Sequence, residues 1–177
     1  MTWRPGDRPV ATESMVRVDQ AGEYGATRIY AGQLAVMGSR SKLAREIAGM
    51  AAQEEHHRAF FDRMIAGRRV RPTVLQPFWN VAGFALGAVT AAIGPKAAMA
   101  CTAAVETEID QHYEEQLVAL GDDDPELSAA IRQFQLEELE HRDAALASGA
   151  EEAVAYPVMY WAIRLGCKAA IAAAKRI

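Results

Sequence analysis

The chain's 177 residues suffice for one well-filled core and fall short of two ordinary domains. A formal net charge of -4 argues against a general nucleic-acid surface, which needs a strong basic excess, and two cysteines in no metal-type spacing support neither a zinc site nor a disulfide framework. Seven prolines, abundant alanine and long stretches without turn signals favour an all-α fold, because alanine has the highest helix propensity.

Met1 to Val10 carries Pro5 and Asp7 but no apolar run, so it reads as neither a signal peptide nor a transit peptide. Residues 1–12 are expected to be a flexible lead-in, and the chain to stay in the compartment where it is made. A first helix is expected over 13–37, closed by Gly38-Ser39. Its seam, at alternating steps of three and four, is Val16, Asp19, Glu23, Ala26, Tyr30, Gln33 and Met37. Asp19, one turn before Glu23, either orients a metal-bound imidazole or stabilises the helix dipole. A second helix, 41–66, has the seam Ile47, Met50, Glu54, His57, Phe61 and Met64, which leaves Glu55 and His56 on the surface.

An apolar connector, 72–95, follows. It has no charge between Arg71 and Lys96 and carries Phe78, Trp79, Val81, Phe84, Leu86, Val89 and Ile93, with Arg68, Arg69 and Arg71 just before it. Its length approaches the roughly 20 apolar residues of a membrane span, but Pro77, Gly83 and Gly87 interrupt it. A span would also strand the two halves of the site below on opposite sides of a bilayer. The connector is therefore expected to lie on a membrane surface as an interfacial helix, or to pair with the last helix.

A third bundle helix is expected over 96–120, with the seam Met99, Thr102, Glu106, Ile109, Tyr113, Gln116 and Leu120; Tyr113 and its neighbour His112 are candidates to support the site. A fourth, 125–147, opens with an Asp124 cap before Pro125 and has the seam Leu127, Ile131, Phe134, Glu138, His141 and Ala145. Glu137 and Glu140 are off that seam and are expected on the surface. A last helix, 151–176, carries Arg164, Lys168, Lys175 and Arg176 with no acid after Glu152. Phe78, Trp79, Phe84, Arg164 and Lys168 are thus candidates for a membrane-facing substrate mouth, with anionic headgroups attracting the basic clusters. A self-association surface in a homo-oligomer is the competing reading, and the two are compatible.

The halves repeat. At an offset of 83, Ala21, Glu23, Tyr30, Gln33, Leu34 and Gly38 match Ala104, Glu106, Tyr113, Gln116, Leu117 and Gly121; at 84, Glu54, His57 and Arg58 match Glu138, His141 and Arg142. Each half has one seam glutamate and then a Glu-x-x-His pair, whose i, i+3 spacing lets one helix grip one ion. Four buried carboxylates would repel one another and cost several kcal/mol each unpaired. No lysine or arginine shares these seams near the glutamates, whereas two divalent ions would balance them and two neutral imidazoles complete the sphere. A single Glu-x-x-His is more often a solvated helix face; two copies in a hairpin repeat are the arrangement of ferritin-like di-iron and di-manganese bundles. Oxygen-rich donors with imidazole suit iron or manganese over zinc. The expected fold is thus a ferritin-like four-helix bundle with an internal two-fold repeat, an apolar crossover and a C-terminal helix.

From Val16 onward the sequence resembles the demethoxyubiquinone hydroxylase family through RVDQAGEYGATRIYAGQ, RVRPTVLQPFWNVAGFALGA, AMACTAAVE and EELEHRD. It departs at Gln20, where many members carry histidine. The resemblance implies two irons bound by Glu23, Glu54, His57, Glu106, Glu138 and His141, and hydroxylation of a prenylated demethoxyquinone ring with dioxygen. It also implies a peripheral place on the cytoplasmic face of a bacterial cell membrane and contact with other ubiquinone-biosynthesis proteins. No G-x-G-x-x-G follows a strand pattern, so reducing equivalents are expected from another protein or from NADH or NADPH directly. Iron storage in a ferritin-like cage is the alternative, disfavoured because a cage has no need of an apolar, basic-flanked connector.

Overall fold

The computed structural model describes residues 12–176, so the expected flexible lead-in lies almost wholly outside the described residues. Among these described residues six α-helices follow in order: α1 Thr12–Met37, α2 Lys42–Arg68, α3 Gln76–Ile93, α4 Pro95–Leu120, α5 Pro125–Ala147 and α6 Tyr156–Ala174, with a 3-10 turn at Ala150–Glu152. Among the described residues there is no strand. Helix starts obey local chemistry. The Ser41 hydroxyl accepts from the Ala44 amide at 3.0 Å, and Asp124 accepts from Leu127 at 3.1 Å while also holding Arg68. Pro77, Pro95, Pro125 and Pro157 each sit in a first turn, where no intrahelical N–H is required.

Antiparallel hairpins α1–α2 and α4–α5 form the four-helix bundle, and the long crossover through α3 is the connection that ferritin-like bundles use. Two apolar clusters plug its ends. Val16, Phe61, Met64, Leu120, Leu127, Ile131 and Phe134 fill one; Ile47, Met50, Met99, Ala100, Ala103 and Ala145 fill the other. The seam glutamates and histidines lie between them.

Two expectations are corrected. The connector is a helix, as the interfacial reading expected, continuous from Gln76 to Ile93, but it packs chiefly on α1 and does not pair mainly with the last helix. Its glycines do not break it; they let two backbones touch. A Cβ on Gly87 would stand 1.9 Å from the Ile29 carbonyl oxygen, and one on Gly32 2.1 Å from that of Phe84. Gly87→Ala must therefore push α3 off α1. A cost of about 3 kcal/mol, the upper range for overpacking, corresponds to a melting temperature lower by roughly 6–12 °C for a chain of this size; thermal unfolding by circular dichroism checks it. The last helix begins five residues later than expected. Ala155 adopts the left-handed conformation at φ 55, which ends the preceding turn, and Pro157 restarts the helix. No helix among the described residues is long and apolar enough to cross a membrane.

Candidate metal centre

Helical periodicity turns Glu23 of α1, Glu54 and His57 of α2, Glu106 of α4, and Glu138 and His141 of α5 into the middle of the bundle, where none is more than 3% exposed. Their donor atoms form two overlapping groups, Glu23–Glu54–His57–Glu138 and Glu54–Glu106–Glu138–His141, each spanning no more than 4.8 Å. Glu54 and Glu138 belong to both. Nδ1 of each imidazole faces inward: His57 Nδ1 lies 3.1 Å from Glu138 and 3.5 Å from Glu23, and His141 Nδ1 lies 3.2 Å from both Glu54 and Glu138.

Such a cluster demands positive charge. Glu23 Oε2, both Glu54 oxygens, Glu106 Oε2, Glu138 Oε1 and His57 Nδ1 are buried without a hydrogen-bond partner, a costly arrangement unless a cation engages them. Burial first, then neighbouring carboxylates, pushes Glu54 and Glu106 well above the ordinary range, and burial raises Glu23. Burial would raise Glu138 as well, but the His141 imidazole bonded to it and the His57 imidazole 3.1 Å away outweigh burial and hold that carboxyl at about 2. Burial would depress His57, yet Glu138 and Glu23 raise it to about 11. Four carboxylates and two imidazoles converging on one point fit a pair of divalent ions.

Supporting groups follow the repeat. The Tyr113 hydroxyl donates to Glu23, and its repeat mate Tyr30 donates to Glu106 at 2.8 Å. Burial pushes both phenols well up, so each remains a donor. Phe134 stacks on the His57 ring at 4.1 Å. Two further residues escaped the sequence reading. Glu137, expected on the surface, accepts from His57 Nε2 at 2.6 Å; Gln53 accepts from His141 Nε2 at 2.8 Å. The 84-residue repeat pairs these two positions, and that was the signal available. Glu55, His56 and Glu140 are exposed, as expected.

Asp19 is buried but orients no site imidazole; it pairs with His112 at 3.5 Å and accepts from Gln116 at 2.7 Å. His112 also bonds Gln116 at 2.8 Å, and its ring lies along that of Tyr113 with centroids 6.4 Å apart. Gln20 ties α1 to α2 through Asp62 at 2.9 Å.

Beside the centre runs an apolar groove of about 650 Å³ between α1, α3, α4 and α6. Ala26 and Ile109 on its floor lie one turn beyond Glu23 and Glu106. Phe78 and Trp79 line it, whereas Phe84 is half-exposed outside it with Arg28 over its ring. Arg164 is corrected: it turns inward, donating to Glu108 at 2.9 Å and to Gln111 at 2.7 Å beneath the Trp161 ring. The Glu108 carboxylate captures it, so it is no free lipid-facing charge. Lys168 stays exposed, 3.6 Å from the same carboxylate.

The family described as ubiquinone biosynthesis protein COQ7 matches residues 10–174. A 3-demethoxyubiquinol 3-hydroxylase of Rhodospirillum rubrum is 55% identical over 175 residues, covering 98% of this chain and 82% of that protein. A mouse mitochondrial protein named NADPH-dependent 3-demethoxyubiquinone 3-hydroxylase is 51% identical, covering 94% and 78%. A yeast mitochondrial 5-demethoxyubiquinone hydroxylase is 41% identical, covering 93% and 78%. With all six helices inside the matched span, the chain belongs to the COQ7 family of ubiquinone-biosynthesis proteins.

Proposed function

We propose that this chain hydroxylates the ring of a demethoxyubiquinone or demethoxyubiquinol with dioxygen, using two irons held by Glu23, Glu54, His57, Glu106, Glu138 and His141. The observation that carries the reading is the two overlapping donor groups, unsatisfied and buried, beside an apolar groove. A ferrous pair, when bound, supplies electrons for dioxygen reduction. Overall, one oxygen atom joins a ring carbon, the other leaves as water, and two electrons and two protons come from outside.

The chain's own residues do the remainder. Glu54 and Glu138, which belong to both donor groups, would serve both ions, Glu23 with His57 would hold one, and Glu106 with His141 the other. Tyr113 and Tyr30 fix the two outer carboxylates. The groove takes the prenylated quinone and keeps bulk water from the ring. A reduced nicotinamide is the proposed electron source, consistent with the mouse relative's name.

Oxygen-18 labelling tests this. Iron-loaded protein with reductant, labelled dioxygen and a demethoxyquinol is expected to place one label on the ring and keep its iron over many turnovers. A multi-iron mineral without labelled quinone would overturn the reading and restore iron storage.

Membrane association is proposed from Phe78, Val81, Val158, Trp161 and Leu165, all exposed along α3 and α6. The cytoplasmic face of a bacterial membrane is the proposed location. Phe78→Ser with Trp161→Ser is expected to abolish flotation with anionic vesicles while leaving metal content unchanged. Unchanged flotation would assign the face to a homo-oligomer or to another ubiquinone-biosynthesis protein.

A further inference from the structure

The repeat that builds the centre is broken behind the imidazoles. At the 84-residue offset His57 corresponds to His141, and the residue preceding each Glu-x-x-His pair corresponds likewise: Gln53 in α2 and Glu137 in α5. Each reaches across the bundle to the opposite half's imidazole, Glu137 Oε2 to His57 Nε2 at 2.6 Å and Gln53 Oε1 to His141 Nε2 at 2.8 Å. The geometry is the same and the charge is not, because one acceptor is a carboxylate and the other a neutral amide. Glu137 is steadied further by Gln133, which donates to its second oxygen at 3.0 Å.

With an ion bound in front of the ring, accepting the Nε2 proton holds each neutral imidazole with its Nδ1 lone pair toward the carboxylate cluster. Behind a metal-bound imidazole a carboxylate does more than orient: it raises the basicity of the ring, and the ring donates more strongly to the ion. An amide supplies the orientation without the charge. The tyrosines of the repeat are balanced, with Tyr113 on Glu23 and Tyr30 on Glu106. The other break, Asp19 and His112 where the repeat has Thr102 and Ile29, places its charges against Gln116 rather than against either site imidazole.

We infer that Glu137 makes the two metal positions unequal, so that the Glu23–His57 position binds a divalent ion more tightly than the Glu106–His141 position and fills first. The inference rests on the reading of the six residues as a two-metal site. Glu137 is a positioning residue that acts through His57. Removing such an outer partner typically costs 10–100-fold in metal affinity. The Glu137 side chain is 24% exposed, and solvent screening of a charge at that exposure places the effect near the lower bound, about tenfold.

Manganese(II) is the probe, titrated into the metal-free full chain and followed by calorimetry and electron paramagnetic resonance. The wild type is expected to take one ion with an isolated-ion spectrum and then a second, about tenfold weaker, that converts it to a spin-coupled pair. Glu137→Gln should weaken the first affinity about tenfold and leave the second nearly unchanged, so the two steps merge. Gln53→Glu, whose effect does not depend on the folding of the first variant, should tighten the second step by a similar factor. Glu137→Asp should restore part of the gap. Two ions bound by the wild type with indistinguishable affinities overturn the inference, as does a gap that survives both Glu137→Gln and Gln53→Glu, and in either case the two-metal reading stands. No manganese binding by the wild type overturns both.

Discussion

Glu54→Gln is expected to abolish binding of both ions and, at the same time, to raise the melting temperature of the metal-free protein. Glu54 belongs to both donor groups, and both its oxygens are buried without a partner. Burial and the charges of Glu138, Glu23 and Glu106 all oppose its ionised form. A neutral isostere relieves that repulsion, and a gain of about 1–3 kcal/mol, part of the several that an uncompensated buried charge costs, raises the melting temperature by roughly 2–12 °C at this chain length. In the wild type a bound divalent ion would supply the missing cation instead. Saturation at about a thousand times the dissociation constant stabilises by about 4 kcal/mol, and that increment should vanish in the variant. Calorimetry with and without iron(II), alongside metal analysis, reads both effects. A variant that retained two ions, or whose metal-free form melted well below the wild type, would sink the assignment.

Glu138→Gln should behave oppositely in the metal-free protein, because the histidines stabilise that carboxylate rather than oppose it. Held at about 2 against an ordinary 4.5, Glu138 contributes stability above pH 4.5 that is lost as pH falls toward 2. His57, raised from 6.5 to about 11, contributes stability that is complete below pH 6.5 and is lost as pH rises through 11. Both contributions are complete between pH 4.5 and 6.5, and the variant should lose most there. Because a metal ion competes with the proton on His57, affinity should rise with pH across neutrality.

The second large effect is expected at the groove. Gly25→Leu should lower kcat/KM toward a demethoxyquinol by on the order of 100-fold, with iron content unchanged and stability equal or higher. Gly22, Gly25 and Gly166 all line the groove, and a Cβ at any of them meets nothing within 4 Å. A leucine there fits the fold but occupies the ligand's space. In a helix it gains roughly 0.8 kcal/mol of propensity over glycine. Overlap with a bound ring should cost about 3 kcal/mol, the upper range for overpacking, which is near 100-fold in rate. Steady-state kinetics with metal analysis decides it: full turnover in an iron-replete variant would remove the groove from the substrate's route.

The bundle was legible because burial at period 3.5 and a hairpin repeat both leave marks on residue type. Carboxylates in seam positions marked the six residues that the fold brings together as a candidate centre. What stayed hidden depends on neighbours rather than on a helix's own periodicity. Glu137 is off the α5 seam, yet His57 reaches out from α2 to meet it. Arg164 reads as one of a basic series until Glu108 on α4 is seen to claim it. The docking of α3 on α1 runs through Gly32 and Gly87, and a contact made by missing side chains has no hydrophobic signature. Tyr156 as a helix start was obscured because the stretch before it is rich in glutamate and alanine, good helix formers that Ala155 overrules.

The sharing of Glu54 and Glu138 sets a timetable for synthesis. The Glu23–Glu54–His57 group needs Glu138 from the far hairpin, and the Glu106–Glu138–His141 group needs Glu54 from the near one. Neither donor group is complete within either hairpin, however well that hairpin forms. As the chain leaves the ribosome from its N-terminus, the donors of α1 and α2 are made long before α5 emerges and the crossover folds back. Capture of an ion by a full donor set is therefore a post-translational event. A half-made chain, whose groove still lacks α6, thus offers no complete donor set at which an ion would lie open to water and oxidant.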